Sequence, residues 1–105
     1  QAETLGLATG VVSTARLTHA TPAATYAHSS TRDWESDADL PEGSTCVDVA
    51  SQLLAFDEGD GLEVAMGGGW RNFIPEGEVP AAPNWIPLPV QFVRGAVVWR
   101  HTRRR

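Results

Sequence analysis

The fold of this 105-residue chain is decided by residues 10–32, which have the sequence GVVSTARLTHATPAATYAHSSTR. Residues 10–17 begin at a glycine and are rich in β-branched side chains, a pattern that predicts a β-strand. Thr21-Pro22 predicts a helix start, because a threonine N-cap accepts a hydrogen bond from a free backbone N–H and a proline at the first helical position needs none. We expect this helix to end near Ser29. Polar residues directly after a strand are typical of an open α/β enzyme, in which ligands bind at the carboxyl ends of strands.

Three further segments complete the predicted organisation. Residues 33–45 form an acidic loop that contains a proline and a glycine. Residues 47–56 have apolar side chains at close to helical spacing, which predicts a second helix. Residues 62–66 form a short predicted strand that enters the turn at Gly67-Gly68-Gly69. Strand, helix, helix and strand in this order predict an α/β fold in which a parallel sheet has helical crossovers.

Charge is distributed unevenly along the chain. Residues 1–78 contain all thirteen acidic residues and three arginines, whereas 79–105 contain five arginines and no acid. Five of the seven prolines lie in 75–89. We therefore divide the chain into 1–78 and a Pro/Arg-rich tail, 79–105, which we expect to be poorly ordered. Nucleic-acid binding by this basic tail and an origin outside the parent reading frame are alternatives, the first disfavoured because so few charges give little phosphate affinity.

Several sequence features exclude common classes of site. Gly67-Gly68-Gly69 lacks the Lys-Ser/Thr of a nucleotide-binding loop, and Asp37-Ala38-Asp39 lacks the glycine and distal glutamate of a calcium loop. Cys46 has no partner cysteine in the chain, so a free thiol or a pairing elsewhere are both open. No apolar run approaches the roughly 18 residues of a membrane span. The chain starts at Gln1 with no basic-then-apolar leader, so we expect a signal peptide to be absent or already removed.

Much of the chain resembles the central part of alkaline phosphatases. The resemblance covers about residues 6–75 in unbroken order, and 80–105 lies outside it. The matching segments are 11–28, Arg32 to Trp34, 36–39 with Pro41, 46–53, 63–69 and 71–73. Trp70 departs from the family, where a basic residue usually follows the three glycines. The resemblance implies part of a three-layer α/β/α sandwich with a mostly parallel central sheet.

The resemblance also implies roles for three residues. His19 matches a position of the family's third metal site, which usually holds magnesium, and Thr21 matches the hydroxyl ligand of that site. Arg32 matches the arginine that binds two phosphate oxygens, and its planar guanidinium suits bidentate phosphate binding. A histidine at the metal position is expected to favour a softer metal than an aspartate would.

Each of the three residues also has an ordinary structural explanation. A histidine before a helix is often a capping or solvent-facing residue, and Thr21 could be an N-cap whether or not it binds metal. Arg32 could pair with Asp33 or Glu35 on the surface, an interaction that contributes little. His28 is expected to be a structural residue at the end of the helix. The resemblance favours the metal and phosphate roles.

The parts of the family's active site that the chain lacks define the functional expectation. The serine nucleophile lies in an Asp-Ser-Ala run that is absent here, and the Zn²⁺ ligands lie mostly further along the family sequence. Cys46 matches a position that often forms a disulfide with an upstream cysteine, also absent. We therefore expect a fragment of an enzyme that hydrolyses phosphate monoesters through a phosphoserine, with Mg²⁺ and Zn²⁺ as cofactors. The isolated chain is expected to be inactive.

The resemblance implies a periplasmic, secreted or cell-surface location and a homodimeric parent enzyme, with no nucleic-acid partner. The alternative is a non-catalytic secreted binding or structural module with a basic tail. Such a module would need a core of its own, and a two-stranded parallel sheet would leave both of its edges open. Strong hydrogen-exchange protection of both predicted strands in the isolated chain would favour the module.

Overall fold

A computed structural model describes residues 1–77 and the backbone of two later strands, 90–93 and 96–100. The strands are β1 (Gly10–Arg16), β2 (Val64–Gly68), β3 (Val90–Val93) and β4 (Ala96–Arg100). The helices are α1 (Ala20–Ala23) and α2 (Val49–Ala55), and short 3-10 turns occupy Glu3–Leu5, Asp37–Asp39 and Trp70–Phe73. In the part of the chain that the structure describes, no helix combines the length and apolar character needed to cross a membrane.

The four strands form one sheet in the order β1-β2-β4-β3. β1 and β2 are parallel, with Val11 opposite Ala65, which confirms the predicted parallel pair of an α/β fold. β4 pairs antiparallel with both β2 and β3. Residues 90–93 and 96–100 therefore form two strands of the same sheet. The rest of 79–105 lies outside the described residues, so the division after residue 78 and the poor order of the tail stay predictions.

Helix α2 confirms the helical spacing found in residues 47–56. The Asp48 carboxylate accepts a hydrogen bond from the backbone N–H of Ser51 at 3.0 Å and so caps the first turn. The buried residues of the helix are Val49, Ala50 and Leu53, which recur at the spacing of one helix face. The sequence pattern therefore located both the helix and its buried face.

Helix α1 differs from its prediction at both ends. It begins one residue before Thr21, so the N-cap position belongs to His19 and Thr21 is not the cap. Pro22 is tolerated there because the first four N–H groups of a helix have no partner within the helix. The regular helix ends at Ala23, and the chain continues as a turn in which the Ala27 N–H donates to the Ala23 carbonyl at 2.8 Å.

The core lies on one face of the sheet. Val11 and Ala65 are buried, whereas their strand neighbours Val12 and Met66 are 73% and 43% exposed, as expected for strands with one covered face. The buried cluster combines β1, the α1 segment, α2 and β2 through Val11, Leu17, Ala23, Tyr26, Val49, Leu53, Leu62 and Ala65. The Tyr26 hydroxyl donates a hydrogen bond to the Leu17 carbonyl at 2.6 Å, and burial raises the pKa of Tyr26. This bond fixes the turn after α1 against the end of β1.

Strand β2 runs through two of the three consecutive glycines instead of ending before them. It starts at Val64 and ends at Gly68, and only Gly69 leaves the strand with a left-handed φ of 88°. Close packing explains why residue 67 within this strand is a glycine. A Cβ atom there would lie 2.9 Å from Leu17 Cγ and 3.0 Å from the Ala15 carbonyl oxygen. Only glycine allows β2 to approach the end of β1 this closely.

Gly67→Ala is therefore expected to lower the free energy of unfolding by about 1–3 kcal/mol through overpacking against Leu17. The matched control is Gly68→Ala, whose new Cβ would lie at an ordinary distance of 3.6 Å from the Ala15 carbonyl oxygen. Urea denaturation of both variants measures the difference. Equal destabilisation by the two substitutions would contradict the packing explanation.

Candidate functional site

An open pocket of about 260 Å³ lies beyond the carboxyl end of β1. One wall is apolar and consists of alanines from α1 and the following turn, together with Val49 of α2. The polar side chains that line it come from the residue after Leu17 and from the loop that follows the turn: Thr18, Ser29, Thr31 and Arg32. The pocket is therefore at the end of the strand where an open α/β sheet binds its ligands.

Arg32 is the positively charged residue among those that line this pocket. Its side chain is exposed, and within residues 1–77 it forms no ion pair. The two carboxylates considered as its surface partners are engaged elsewhere, because Glu35 binds Arg16 and Asp33 accepts a hydrogen bond from the Thr31 hydroxyl at 3.4 Å. The guanidinium of Arg32 is thus available to an anion in the pocket.

Glu35 is the centre of a polar network beside the pocket. Its carboxylate accepts hydrogen bonds from Arg16 Nε at 2.9 Å and Arg16 Nη2 at 2.8 Å, in bidentate geometry. The Thr18 hydroxyl donates to Glu35 Oε2 at 2.6 Å. Asn72 Nδ2 donates to the same Glu35 oxygen at 2.8 Å and to Thr18 Oγ1 at 2.7 Å. The network joins β1, the acidic loop and the turn after β2.

The charge of Glu35 follows from this network. The hydrogen bond from Arg16 is the main cause that lowers the pKa of Glu35, and the Thr18 hydroxyl and the charges of Arg16 and His19 act in the same direction. Burial of the carboxylate opposes them. Glu35 is therefore held as a carboxylate that orients Thr18, one of the pocket-lining residues.

His19 and Thr21 lie close to the pocket in sequence but are not among the residues that line it. His19 is half-buried at the N-cap position of α1, and its side chain makes no capping hydrogen bond. Thr21 is exposed on the first turn, and its hydroxyl makes no hydrogen bond within the described part of the chain. Both side chains thus offer a free donor atom, which is compatible with the predicted metal role.

Gln52 of α2 holds the segment that leads to Arg32. Its Nε2 donates to the His28 carbonyl at 2.9 Å and to the Val47 carbonyl at 2.9 Å, and its Oε1 accepts from the His28 N–H at 2.8 Å. His28 itself is exposed. It participates through its backbone and lies five residues beyond the end of α1, not at the helix end as predicted.

Comparison with known proteins identifies the segment that carries this pocket. A family profile described as alkaline phosphatase matches residues 1–84. The chain is 48% identical over 75 residues to the tissue-nonspecific isozyme of alkaline phosphatase from Gallus gallus. The matched region covers 68% of the chain and 14% of that protein. It is 53% identical over 66 residues to alkaline phosphatase 4 of Drosophila melanogaster, covering 61% of the chain and 11% of the relative. The membrane-bound alkaline phosphatase of Bombyx mori is 43% identical over 74 residues, covering 67% of the chain and 14% of the relative.

The chain belongs to the alkaline phosphatase family. It spans between 11% and 14% of the length of these three relatives. The predicted family resemblance is therefore confirmed, and so is the class of fold. The roles of His19, Thr21 and Arg32 stay predictions.

The sequence of this alkaline phosphatase segment carries no pattern that marks Glu35, Thr18 and Asn72 as a cooperating group. Glu35 and Asn72 are 37 residues apart, and both lie in irregular segments without a periodic pattern. One signal was present in the sequence, because an arginine at the end of a β-branched strand can form a bidentate ion pair with a carboxylate partner. The identity of that partner depends on the tertiary fold.

The low pKa of Glu35 makes the stability of the alkaline phosphatase segment depend on pH. Since the pKa is lowered on folding from an ordinary value of 4.5, the stabilisation is present above that value and is lost as the pH falls through the folded-state pKa. We expect Glu35→Gln to lower the free energy of unfolding at neutral pH and to flatten the acid-induced decline of that free energy as the pH falls below 4.5. The matched control is Glu42→Gln, on the exposed part of the same loop. Chemical denaturation across this range tests it, and a wild-type acid dependence retained in Glu35→Gln would contradict it.

Proposed function

We propose that this chain is the phosphate-binding segment of a phosphomonoesterase, in which Arg32 binds two oxygens of the substrate and product phosphate. The observation that carries the proposal is the guanidinium of Arg32, unpaired among residues 1–77, on a pocket at the carboxyl end of β1, within the segment that matches the alkaline phosphatase family. In the complete enzyme the reaction would pass through a phosphoserine, formed on a serine outside this chain.

The chemistry of Arg32 suits this role. Its guanidinium is planar and positively charged, and it presents parallel N–H donors that match two oxygens of a phosphate. The Arg16–Glu35 ion pair supports the proposal, because it engages Glu35, one of the two loop carboxylates considered as surface partners of Arg32. Asp33, the other loop carboxylate considered, accepts a hydrogen bond from the Thr31 hydroxyl at 3.4 Å and forms no ion pair with Arg32 within residues 1–77.

His19 and Thr21 are proposed to provide two ligands of a Mg²⁺ site. Neither side chain makes a hydrogen bond within residues 1–77, which fits the proposal, but an imidazole and a hydroxyl are both neutral. Mg²⁺ is usually bound through carboxylates and water, so anionic ligands from the rest of the enzyme must complete the site. When bound, the ion would supply electrostatic stabilisation of charge at the reacting phosphate. Within this chain, His19 and Thr21 hold and orient ligand atoms, and Arg32 binds the anion.

The other proposals extend the family assignment to the intact protein. We propose that Zn²⁺ is bound by residues outside this chain and that the intact enzyme is a homodimer located in the periplasm, at the cell surface or outside the cell. The family membership of the chain supports these proposals.

Activity assays on two proteins, the isolated chain and a chimera, test the proposed function together. The 105-residue chain alone, supplied with Zn²⁺ and Mg²⁺, is expected to show no turnover of p-nitrophenyl phosphate, because it contains no Asp-Ser-Ala run. A chimera in which the chain replaces its matching 75 residues of the Gallus gallus isozyme is expected to hydrolyse the same substrate. The control is the unaltered isozyme.

Either of two results would contradict the proposal. One is turnover by the isolated chain at a rate near that of an intact enzyme. The other is a chimera that folds and binds its metals but hydrolyses no phosphate monoester, because this would show that the segment cannot perform the role of its counterpart.

A further inference from the structure

Three carboxylates converge at the end of the sheet opposite to the pocket. Glu3 lies in the first 3-10 turn, Glu63 directly precedes β2, and Asp60 lies in the loop before it. One carboxylate oxygen from each lies within 4.8 Å of the others. Because β1 and β2 are parallel and the pocket follows the carboxyl end of β1, this acidic cluster lies at the amino ends of the two strands.

The acidic cluster is held by backbone contacts between the segments before β1 and β2. The Thr9 N–H donates to Glu63 Oε2 at 2.6 Å, and the Glu63 N–H donates to the Thr9 carbonyl at 3.0 Å. The Thr9 hydroxyl donates to Glu3 Oε1. Thr9 therefore fixes two of the three carboxylates relative to each other.

Gly59 positions the loop that carries Asp60 against Glu3. Its φ is +64°, and a Cβ atom at this residue would lie 2.5 Å from the Glu3 carbonyl oxygen. Only glycine permits so close an approach of the loop backbone to the first turn of the chain. The loop is thereby packed onto Glu3 at the point where Asp60 joins the cluster.

The Glu3 side chain provides an independent indication of a ligand. Glu3 is only 6% exposed, and its Oε2 atom is buried without a hydrogen-bond partner among residues 1–77. A buried carboxylate oxygen that lacks a donor is costly. A bound cation would supply the missing partner.

We propose that Glu3, Asp60 and Glu63 form a binding site for a hard divalent cation, Ca²⁺ or Mg²⁺. Carboxylate oxygens are the ligands these ions prefer, whereas the acidic cluster offers no nitrogen or sulfur atom that would favour zinc or copper. The site differs in position from the proposed His19–Thr21 pair and does not depend on the proposed function. The ion would tie the first turn of the chain to the loop before β2.

Metal binding by the 105-residue chain tests the proposal. Calorimetric titration with Ca²⁺ and, separately, with Mg²⁺ is expected to detect one site for at least one of the two ions. At a concentration about one hundred times Kd, the preferred ion is expected to raise the unfolding midpoint by roughly 10 °C. The relative affinities identify which of the two ions the site prefers.

Three variants assign the binding to the acidic cluster. Glu3→Gln keeps the shape of the side chain and is expected to weaken binding at least about 10-fold, and Asp60→Asn provides a second test should Glu3→Gln fail to fold. Glu58→Gln, an exposed carboxylate of the same loop outside the acidic cluster, is expected to bind like the wild type.

A fourth variant separates this site from the one in the proposed function. The double substitution His19→Ala and Thr21→Ala is expected to leave the titration unchanged. The proposal is overturned by a wild-type chain that binds neither ion. It is also overturned by Glu3→Gln and Asp60→Asn variants that bind as tightly as the wild type, or by loss of binding in the double variant alone.

Discussion

Leu53→Ala is expected to lower the free energy of unfolding by about 2–5 kcal/mol. The Leu53 side chain is 0% exposed and belongs to the cluster that joins α2 to both parallel strands. Shortening it removes buried apolar surface and leaves a cavity that neighbouring side chains fill only in part. Because a domain of this size has only about 5–15 kcal/mol of total stability, a large fraction of its stability would be lost.

The adjacent residue provides the matched control for this substitution. Leu54 is 48% exposed, so Leu54→Ala changes the same helix in the same way without opening a cavity. We expect it to lower the free energy of unfolding by less than about 1 kcal/mol. Urea denaturation monitored by tryptophan fluorescence measures both values. A Leu53→Ala variant no less stable than Leu54→Ala would mean that the face of α2 assigned to the core is wrong.

Arg32→Ala in the chimeric enzyme is expected to weaken competitive inhibition by inorganic phosphate about 10- to 100-fold. The estimate corresponds to the loss of charge-assisted hydrogen bonds worth about 1.5–3 kcal/mol. Substrate KM is expected to rise for the same reason, because phosphate monoesters present the same oxygens to the guanidinium. The serine nucleophile of the host protein is unaltered, so residual turnover should remain.

Arg71 provides the control for the charge that Arg32→Ala removes. It is exposed like Arg32 but lies outside the lining of the pocket. Arg71→Ala changes the net charge equally and is expected to leave the phosphate inhibition constant within about twofold. Equal weakening by the two substitutions would assign the effect to the overall electrostatic field and not to binding by Arg32.

The sequence predicted those parts of the fold that depend on local periodicity. The β-branched run gave β1, and the spacing of Val49 and Leu53 gave α2 together with its buried face. The limits of β2 could not be predicted, because Gly67 has a low strand propensity and is in the strand through its backbone pairing with Val97 of β4. Such contacts between distant residues have no local signature.

Only part of the candidate site could be predicted from the sequence. The family resemblance singled out Arg32, and the structure places it on a pocket, where its phosphate role can be tested. The network of Glu35, Thr18 and Asn72 was not predicted, since its members come together only when the acidic loop packs beside β1. The position of His19 as N-cap also depends on geometry, because a proline is tolerated at several positions of a first turn.

Through its side-chain amide, Gln52 couples the position of α2 to the segment that precedes Arg32. One side chain on α2 binds both backbone groups of His28, four residues before Arg32, while Val49 on the same helix lines the pocket. A displacement of α2 along its axis would therefore carry the loop that contains Arg32 with it. Under the proposed role of Arg32, a substitution on α2 that contacts no ligand would change the affinity for phosphate. A second substitution on the same helix could restore that affinity.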